Sequence, residues 1–194
     1  MMALTSNDAK NASYSKTQVT GTVFFAPAGT PLPKSASEAL GSVFKNAGFI
    51  GKDGISWKVK TESSSMQEMG GRTIKTELTS YSEGCTFTLM EYLRSEANEL
   101  RYGAANVSTS GAGTTIYHAM PTSTPLVLVI DTILSDGSLD RIVAPSALMT
   151  EVGDIKRASS EELGHEVTFE FSPSTAINNA TSVEYIGKKS GEAA

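Results

Sequence analysis

Cysteine is almost missing from these 194 residues: Cys85 stands alone. That excludes an internal disulfide and a cysteine-built zinc site, and leaves a small buried hydrophobe as the natural reading of the thiol. Histidine is nearly as scarce, with only His118 and His165. Basic residues are outnumbered, 16 against 21 acidic, for a formal charge of −5. This speaks against a surface that clamps nucleic acid, but not against one past which nucleic acid slides. No apolar run approaches the roughly 18 residues of a membrane span, so none is expected. The opening MMALTSNDAKNASYSK has no apolar h-region and is not read as a signal peptide. The expected setting is intracellular, or a particle assembled inside a cell.

Catalytic signatures are also missing. The glycines of Gly51–Gly54 (GKDG) match neither GxxxxGK[ST] nor GxGxxG. No GxSxG elbow occurs. His165 beside Glu162 and Glu166 would make at most a weak metal-like cluster, and the same residues suit a structural or surface histidine. Asp136 and Asp140 flank a hairpin signal and read as turn chemistry. Neither enzyme activity nor a cofactor is expected.

What remains is a β composition. Hydrophobic residues make up 39%, charged residues 19%, and Ser and Thr fill much of the rest around 17 glycines; this is neither a disordered chain nor a coiled coil. One domain is the expectation: an arm over 1–16, a β domain over 17–186 and a tail over 187–194. Gln18–Ala26 reads as a strand, with Val19, Gly21, Val23 and Phe25 on one face. Ser35–Ala47 carries a capping box (Ser35, Glu38) and a stripe at helical spacing, which predicts a helix packing Leu40 and Phe44 onto a sheet. Ile55–Lys60 alternates as a half-buried strand. Thr61–Gly71 predicts a long polar loop. Arg72–Ser80 and Cys85–Tyr92 read as two strands around a turn at Ser82–Gly84. Arg94–Gly103 predicts a second, more exposed helix, and Ala104–Gly113 a loop. Leu126–Ile130 is apolar on both faces, as a central or covered strand would be. Asp136–Gly137 signals a hairpin returning along Leu139–Ala144. Leu148–Arg157, Glu162–Ser172 and Val183–Ile186 complete the strands. The expected core includes Phe44, Trp57, Phe87, Leu89, Val167 and Phe169.

Glu166 and Glu170 sit on one outward strand face, and Glu77 lies on the polar hairpin that begins at Arg72. A solvated surface accounts for them simply; repeated around a ring of subunits they would instead line a channel from which phosphates are repelled, since affinity for nucleic acid rests on cationic contacts.

Three features resemble the tail tube proteins (major tail proteins) of long-tailed bacteriophages, particularly those infecting actinobacteria. One is VFFAPAGTPLPKSASEALGSVFKNAGFIGKDGI, with its strand, its APxGTxLP connection and its GF-I followed by DG. The others are the polar stretch Thr61–Gly71 before a long strand, and FTLMEYL before a polar helix. The resemblance spans about Val19 to Ser172. It implies a mainly β subunit, a β-sandwich or partly closed barrel with one or two flanking short helices. It further implies hexameric rings stacked into a tube whose lumen conducts the genome during ejection, with transient, non-specific passage of double-stranded DNA. Implied partners are other copies of the chain, a tape measure protein, and tail terminator and distal tail proteins; the implied location is the virion, assembled in the host cytoplasm. By the same resemblance Glu62, Met66, Glu68, Met69 and Arg72 belong to a loop that reaches an adjacent ring. The alternative is a carbohydrate- or protein-binding β-sandwich, a virion decoration or adhesion domain, for which Tyr81, Tyr92 and Tyr117 would supply an aromatic platform.

Overall fold

The run His165–Phe171 alternates buried and exposed side chains along its whole length. Val167, Phe169 and Phe171 point inward while Glu166 and Glu170 are exposed, as the two-residue period of a half-buried strand requires. The computed structural model describes residues 7–120, 124–160 and 162–187. Its strands are β1 (Ser15–Thr17), β2 (Val23–Pro27), β3 (Lys45–Asn46), β4 (Ile50–Gln67), β5 (Thr73–Leu89), β6 (Val107–Ser110), β7 (Gly113–Ile116), β8 (Leu126–Leu134), β9 (Leu139–Val152), β10 (His165–Phe171) and β11 (Val183–Ile186), with one helix, α1 (Ser95–Tyr102), between β5 and β6. The main sheet runs β3-β2-β8-β9-β10-β5-β4; β1 also pairs with β8 and β11 with β9, and β6–β7 is a separate hairpin. Every pairing is antiparallel.

β9 serves two halves of this sheet. Up to Ala144 it lies between β8 and β11; from Ala147 to Val152 it pairs with β10. Pro145 sits at the change, where the register against β8 shifts. A proline has no N–H to give a ladder and is tolerated at such an irregularity. The two halves then share one core. Val23 and Phe25 of β2 and Leu128 and Ile130 of β8 cluster with Phe87 and Leu89 of β5, Val167 and Phe169 of β10, and Ala97 and Leu100 of α1. The Phe87 and Phe169 rings stack with centroids 5.8 Å apart. A second cluster, Ala26, Val127, Val129 and Val143, lies against Leu32, Leu40, Phe44, Val183 and Tyr185. β8, apolar on both faces, is therefore covered on both. The fold is mainly β with short helical pieces, as expected, but the sheet keeps open edges and does not close into a barrel.

Ser35–Ala47 forms no helix. The Arg141 guanidinium, buried and held by Asp131 at 2.6 and 2.7 Å, donates to the carbonyls of Ser35 and Glu38. A buried guanidinium must bond its N–H groups, and here it takes carbonyls that a helix would have used. The Glu38 carboxylate accepts instead from the backbone amide of Lys34 at 2.7 Å, one residue before the expected cap. Leu40 and Phe44 pack onto the sheet all the same, half-buried. Val19 lies outside β2 and is fully exposed. α1 forms where expected; Arg94 stands at its N-cap with no side-chain cap bond, and Ser95 Oγ, in the first turn, lies 3.2 Å from Thr109 Oγ1.

The largest corrections fall on β4 and β5. Thr61–Gly71, expected as a loop, is strand as far as Gln67. The turn is short: Glu68 N donates to Arg72 O at 3.0 Å and Gly71 N to Glu68 O at 2.8 Å, with Gly71 at φ 83°. Ser82–Gly84, expected as a turn, lies inside β5. Gly84 is needed for a different reason: a Cβ there would stand 2.3 Å from Phe169 O on the neighbouring strand. Gly84→Ala should therefore lower stability by about 1–3 kcal/mol, the usual cost of overpacking, in urea melts of the purified protein; an unchanged midpoint would contradict the close approach.

His165 is fully buried with no partner for either ring nitrogen. Its ring stacks on Tyr92, centroids 4.8 Å apart, and meets Tyr102 edge-on at 5.7 Å. Burial, reinforced by the Arg101 and Arg157 cations, pushes its pKa down to about 4. The native state thus stays unprotonated where the unfolded chain takes up a proton. Stability should fall as pH drops below about 6.5 toward 4, by at most about 1.4 kcal/mol per pH unit from this group. Melts at about pH 7 and about pH 5.5 measure the slope, which His165→Phe should flatten; an identical slope in that variant would exclude His165 as its source.

Candidate assembly surfaces

β5 pairs with β10 only from Glu83 to Leu89, whereas its pairing with β4 extends out to Thr73 and Gln67. Beyond the Val59↔Glu83 pair, the two strands pair only with each other among the described residues. Lys60–Ser82 therefore projects as a two-stranded ribbon of about 25 Å, at about 3.3 Å per residue, and every residue of it is exposed. Its sequence is rich in Ser, Thr and charge because neither face meets a core. Ser65 and Thr76 hydroxyls lie 3.1 Å apart across the pair. Ion pairs join Lys60 to Glu62, Arg72 to Glu68 at 3.0 Å, and Lys75 to Glu77. Such exposed pairs are worth ~0–1 kcal/mol each, and a lone two-stranded ribbon is marginal in water. Met66, Met69, Ile74, Leu78 and Tyr81 all stand in solvent along it, Met69 completely.

The structure gathers the expected contact residues on this ribbon. Glu62 and Met66 lie on its β4 side, and Glu68, Met69 and Arg72 in and beside its turn. Glu77 is there too, its charge matched by Lys75. Glu166 and Glu170 are elsewhere, on the solvent face of β10. That face continues sideways, because cross-strand partners share a side. One row runs Ser56↔Thr86↔Thr168↔Glu151, and the next Lys58↔Gly84↔Glu170↔Leu148. Thr86 and Thr168 hydroxyls in the first row are 2.9 Å apart.

The base of the ribbon is pinned by Glu83, which sequence reasoning missed. Its buried carboxylate accepts from Trp57 Nε1 at 2.9 Å, from Ser182 Oγ at 3.1 Å and from Thr181 Oγ1. Trp57, half-buried, packs on Phe171 with centroids 5.2 Å apart. An acid at the border between the polar and apolar parts of one strand was the available signal. Just inside that border Cys85 is fully buried, and burial with the nearby Glu83 charge pushes its thiol up to about 12.

A cavity of about 720 Å³ opens beside the last residues of β9, lined by Phe25, Pro27, Leu100, Leu126, Met149 and Val152 among others. The Lys45–Glu99 ion pair lies on its wall. Among the described residues no group of three His, Cys, Asp or Glu is placed to hold a metal. Tyr81 and Tyr117 are exposed, but Tyr92 is half-buried against His165, so the three do not make the expected open aromatic platform.

A search of curated proteins finds no match. Among solved structures, the tube-terminating cap of an anti-feeding prophage is similar at 9% identity and a TM-score of 0.47, over 96% of this chain and 100% of that one. The family model for phage tail tube proteins matches residues 8–193. That match covers the core, the ribbon and the polar face alike, and the chain accordingly belongs to the phage tail tube family, as a structural protein of the virion rather than an enzyme.

Proposed function

We propose that this chain is the repeating subunit of a phage tail tube, forming stacked hexameric rings whose lumen conducts double-stranded DNA during ejection. The free-standing ribbon is the observation that carries this reading. Among the described residues it has no further strand partner, it is marginal alone, and it displays exposed apolar side chains. Glu62, Met66, Glu68, Met69 and Arg72 then touch the next ring. Glu77, Glu166 and Glu170 face the lumen, where carboxylates keep passing phosphates from binding; Lys75 beside Glu77 and Lys58 in the Glu170 row temper the repulsion. Tape measure, tail terminator and distal tail proteins are the partners this role calls for, and assembly takes place in the host cytoplasm before the tube joins the virion.

Electron microscopy of the purified protein should show six-fold rings and tubes. Protein that stays monomeric at every concentration and is missing from virions would contradict the reading. The ribbon's part can be tested separately by replacing Glu62–Ser80 with an Asn-Gly turn between the cross-strand partners Thr61 and Tyr81. The shortened protein should unfold within a few degrees of the parent, because among the described residues the ribbon buries nothing against the core, yet build no tubes; normal tubes would remove the ribbon from the contact between rings. Glu166→Lys with Glu170→Lys should leave the melting temperature unchanged, as exposed substitutions do, and reduce genome delivery in an infectivity assay. Unimpaired delivery would take these two carboxylates off the lumen.

A further inference from the structure

Among the described residues, His165 alone has every polar atom of its side chain buried and without a partner. A neutral imidazole carries one N–H and one lone pair, and buried groups of this kind are normally bonded. The ring also lies where three segments meet. It opens β10, opposite Leu89 of β5. One side stacks on Tyr92, just past the end of β5. Tyr92 in turn carries Arg157, whose guanidinium carbon is 5.5 Å from the phenol centroid and which donates to Tyr92 Oη at 2.5 Å. On the other side Tyr102, the last residue of α1, meets the imidazole edge-on. Tyr102 carries Arg101 at 4.9 Å and His118 at 5.0 Å from its centroid. The row Arg157–Tyr92–His165–Tyr102–Arg101 thus joins the β9–β10 connection to α1 through a single imidazole.

We propose that His165 is an acid-operated latch: while neutral it holds α1 and the β9–β10 connection together at this end of the sheet, and protonation releases them without unfolding the core. The inference holds whether or not the chain builds a tube.

The surroundings of the ring support it first. Tyr92 faces it from the end of β5, Tyr102 and Arg101 from α1, and Arg157 from the connection. His118 stands behind Tyr102, Glu162 is exposed, and Glu166 is exposed on the opposite face of β10. Both charges that act on the ring are therefore cations. A third cation between them, buried and without an acceptor, is unfavourable. Opening brings water to both ring nitrogens and separates the like charges.

The two segments are also the kind that can leave. The described residues of 153–164 form neither helix nor strand. The connection is fastened at its start by Gly153 N donating to Glu166 O at 2.9 Å. At its other end Gly164 lies so close to Thr88 that a Cβ would stand 2.7 Å from Thr88 Cγ2. α1 has eight residues, too few to persist as a helix without packing. Its Glu99 and Leu100 wall the large cavity, so acid loosens that wall as well.

Native-state hydrogen exchange of the free subunit tests the latch, with rates normalised for the intrinsic effect of pH. The reporters are the α1 amides with Gly103, which donates to Glu99 O at 2.9 Å, and Gly153. Their protection should fall about twentyfold from about pH 7 to about pH 5, the factor by which a ring held near 4 and released to about 6.5 favours opening. It should lie below that of Val127–Ile130 in the core and stay constant in low urea, as a local opening does. In His165→Phe the change with pH should shrink to less than about twofold. Protection that ignores pH, that falls as far in His165→Phe, or that matches the core and drops with urea alongside it would each overturn the latch. Nuclear magnetic resonance of the otherwise unaltered ring, distinguished from His118 by His118→Gln, supplies a check that leaves position 165 intact. The His165 ring should remain neutral in the folded protein at about pH 5.5, and a ring already protonated there would overturn the proposal.

Discussion

A strand edge leaves backbone donors and acceptors that must find partners, and most of this molecule is arranged around where those edges fall. The β3 edge is two residues long and the β11 edge four. β4 offers 18 residues, along the whole length of the longest hairpin. Proteins that must not aggregate keep such edges short, bulged or charged. β4 carries both devices, a bulge between Ile50 and Ile55 and the lysines Lys52, Lys58 and Lys60. They blunt the edge without removing it.

The rest of the subunit holds those edges in place. β9 ties together the half of the sheet that carries the edges and the half that carries the bulk of the core. Pro145 marks the change between them, and the Phe87–Phe169 stack and its neighbours pack the two halves together. Below the core, Glu83 gathers donors from Trp57, Thr181 and Ser182. A carboxylate this buried is tolerable only when its oxygens are bonded, and that network fixes the direction in which the ribbon leaves the core. Outside it, the residues of the ribbon hold each other and little else. The molecule is therefore firm where the sheet is packed and weakly held where it awaits a partner.

The sequence was legible where a face is buried and illegible where none is. β10 shows its alternation because Val167, Phe169 and Phe171 meet a core. β8 reads as covered because both its faces are. The Asp136–Gly137 hairpin is local chemistry, with Gly137 at φ 89° and Ser138 N donating to Asp136 Oδ1 at 2.9 Å. The ribbon, by contrast, buries neither face, so no periodicity marks Thr61–Gln67 as strand, and polar residues without pattern read as loop. Two other errors came from partners distant in sequence. The helical stripe of Ser35–Ala47 gave no sign that Arg141, more than a hundred positions away, claims its carbonyls. Gly84 looked like a turn residue because nothing nearby shows that Phe169 O passes so close. The residues expected to touch an adjacent ring, Glu62, Met66, Glu68, Met69 and Arg72, all lie on the exposed ribbon and its turn, which the local pattern misnamed as a loop.

In the proposed tube, assembly satisfies the unpaired edges and the ribbon. Hydrogen exchange of the free subunit against the assembled particle measures this directly. Fast exchange is expected over Lys60–Ser82, the outer amides of β4 and Leu148–Val152 in the free protein, with protection concentrated in those segments on assembly. Protection gained elsewhere, with these amides still exchanging freely in the assembled particle, would contradict it.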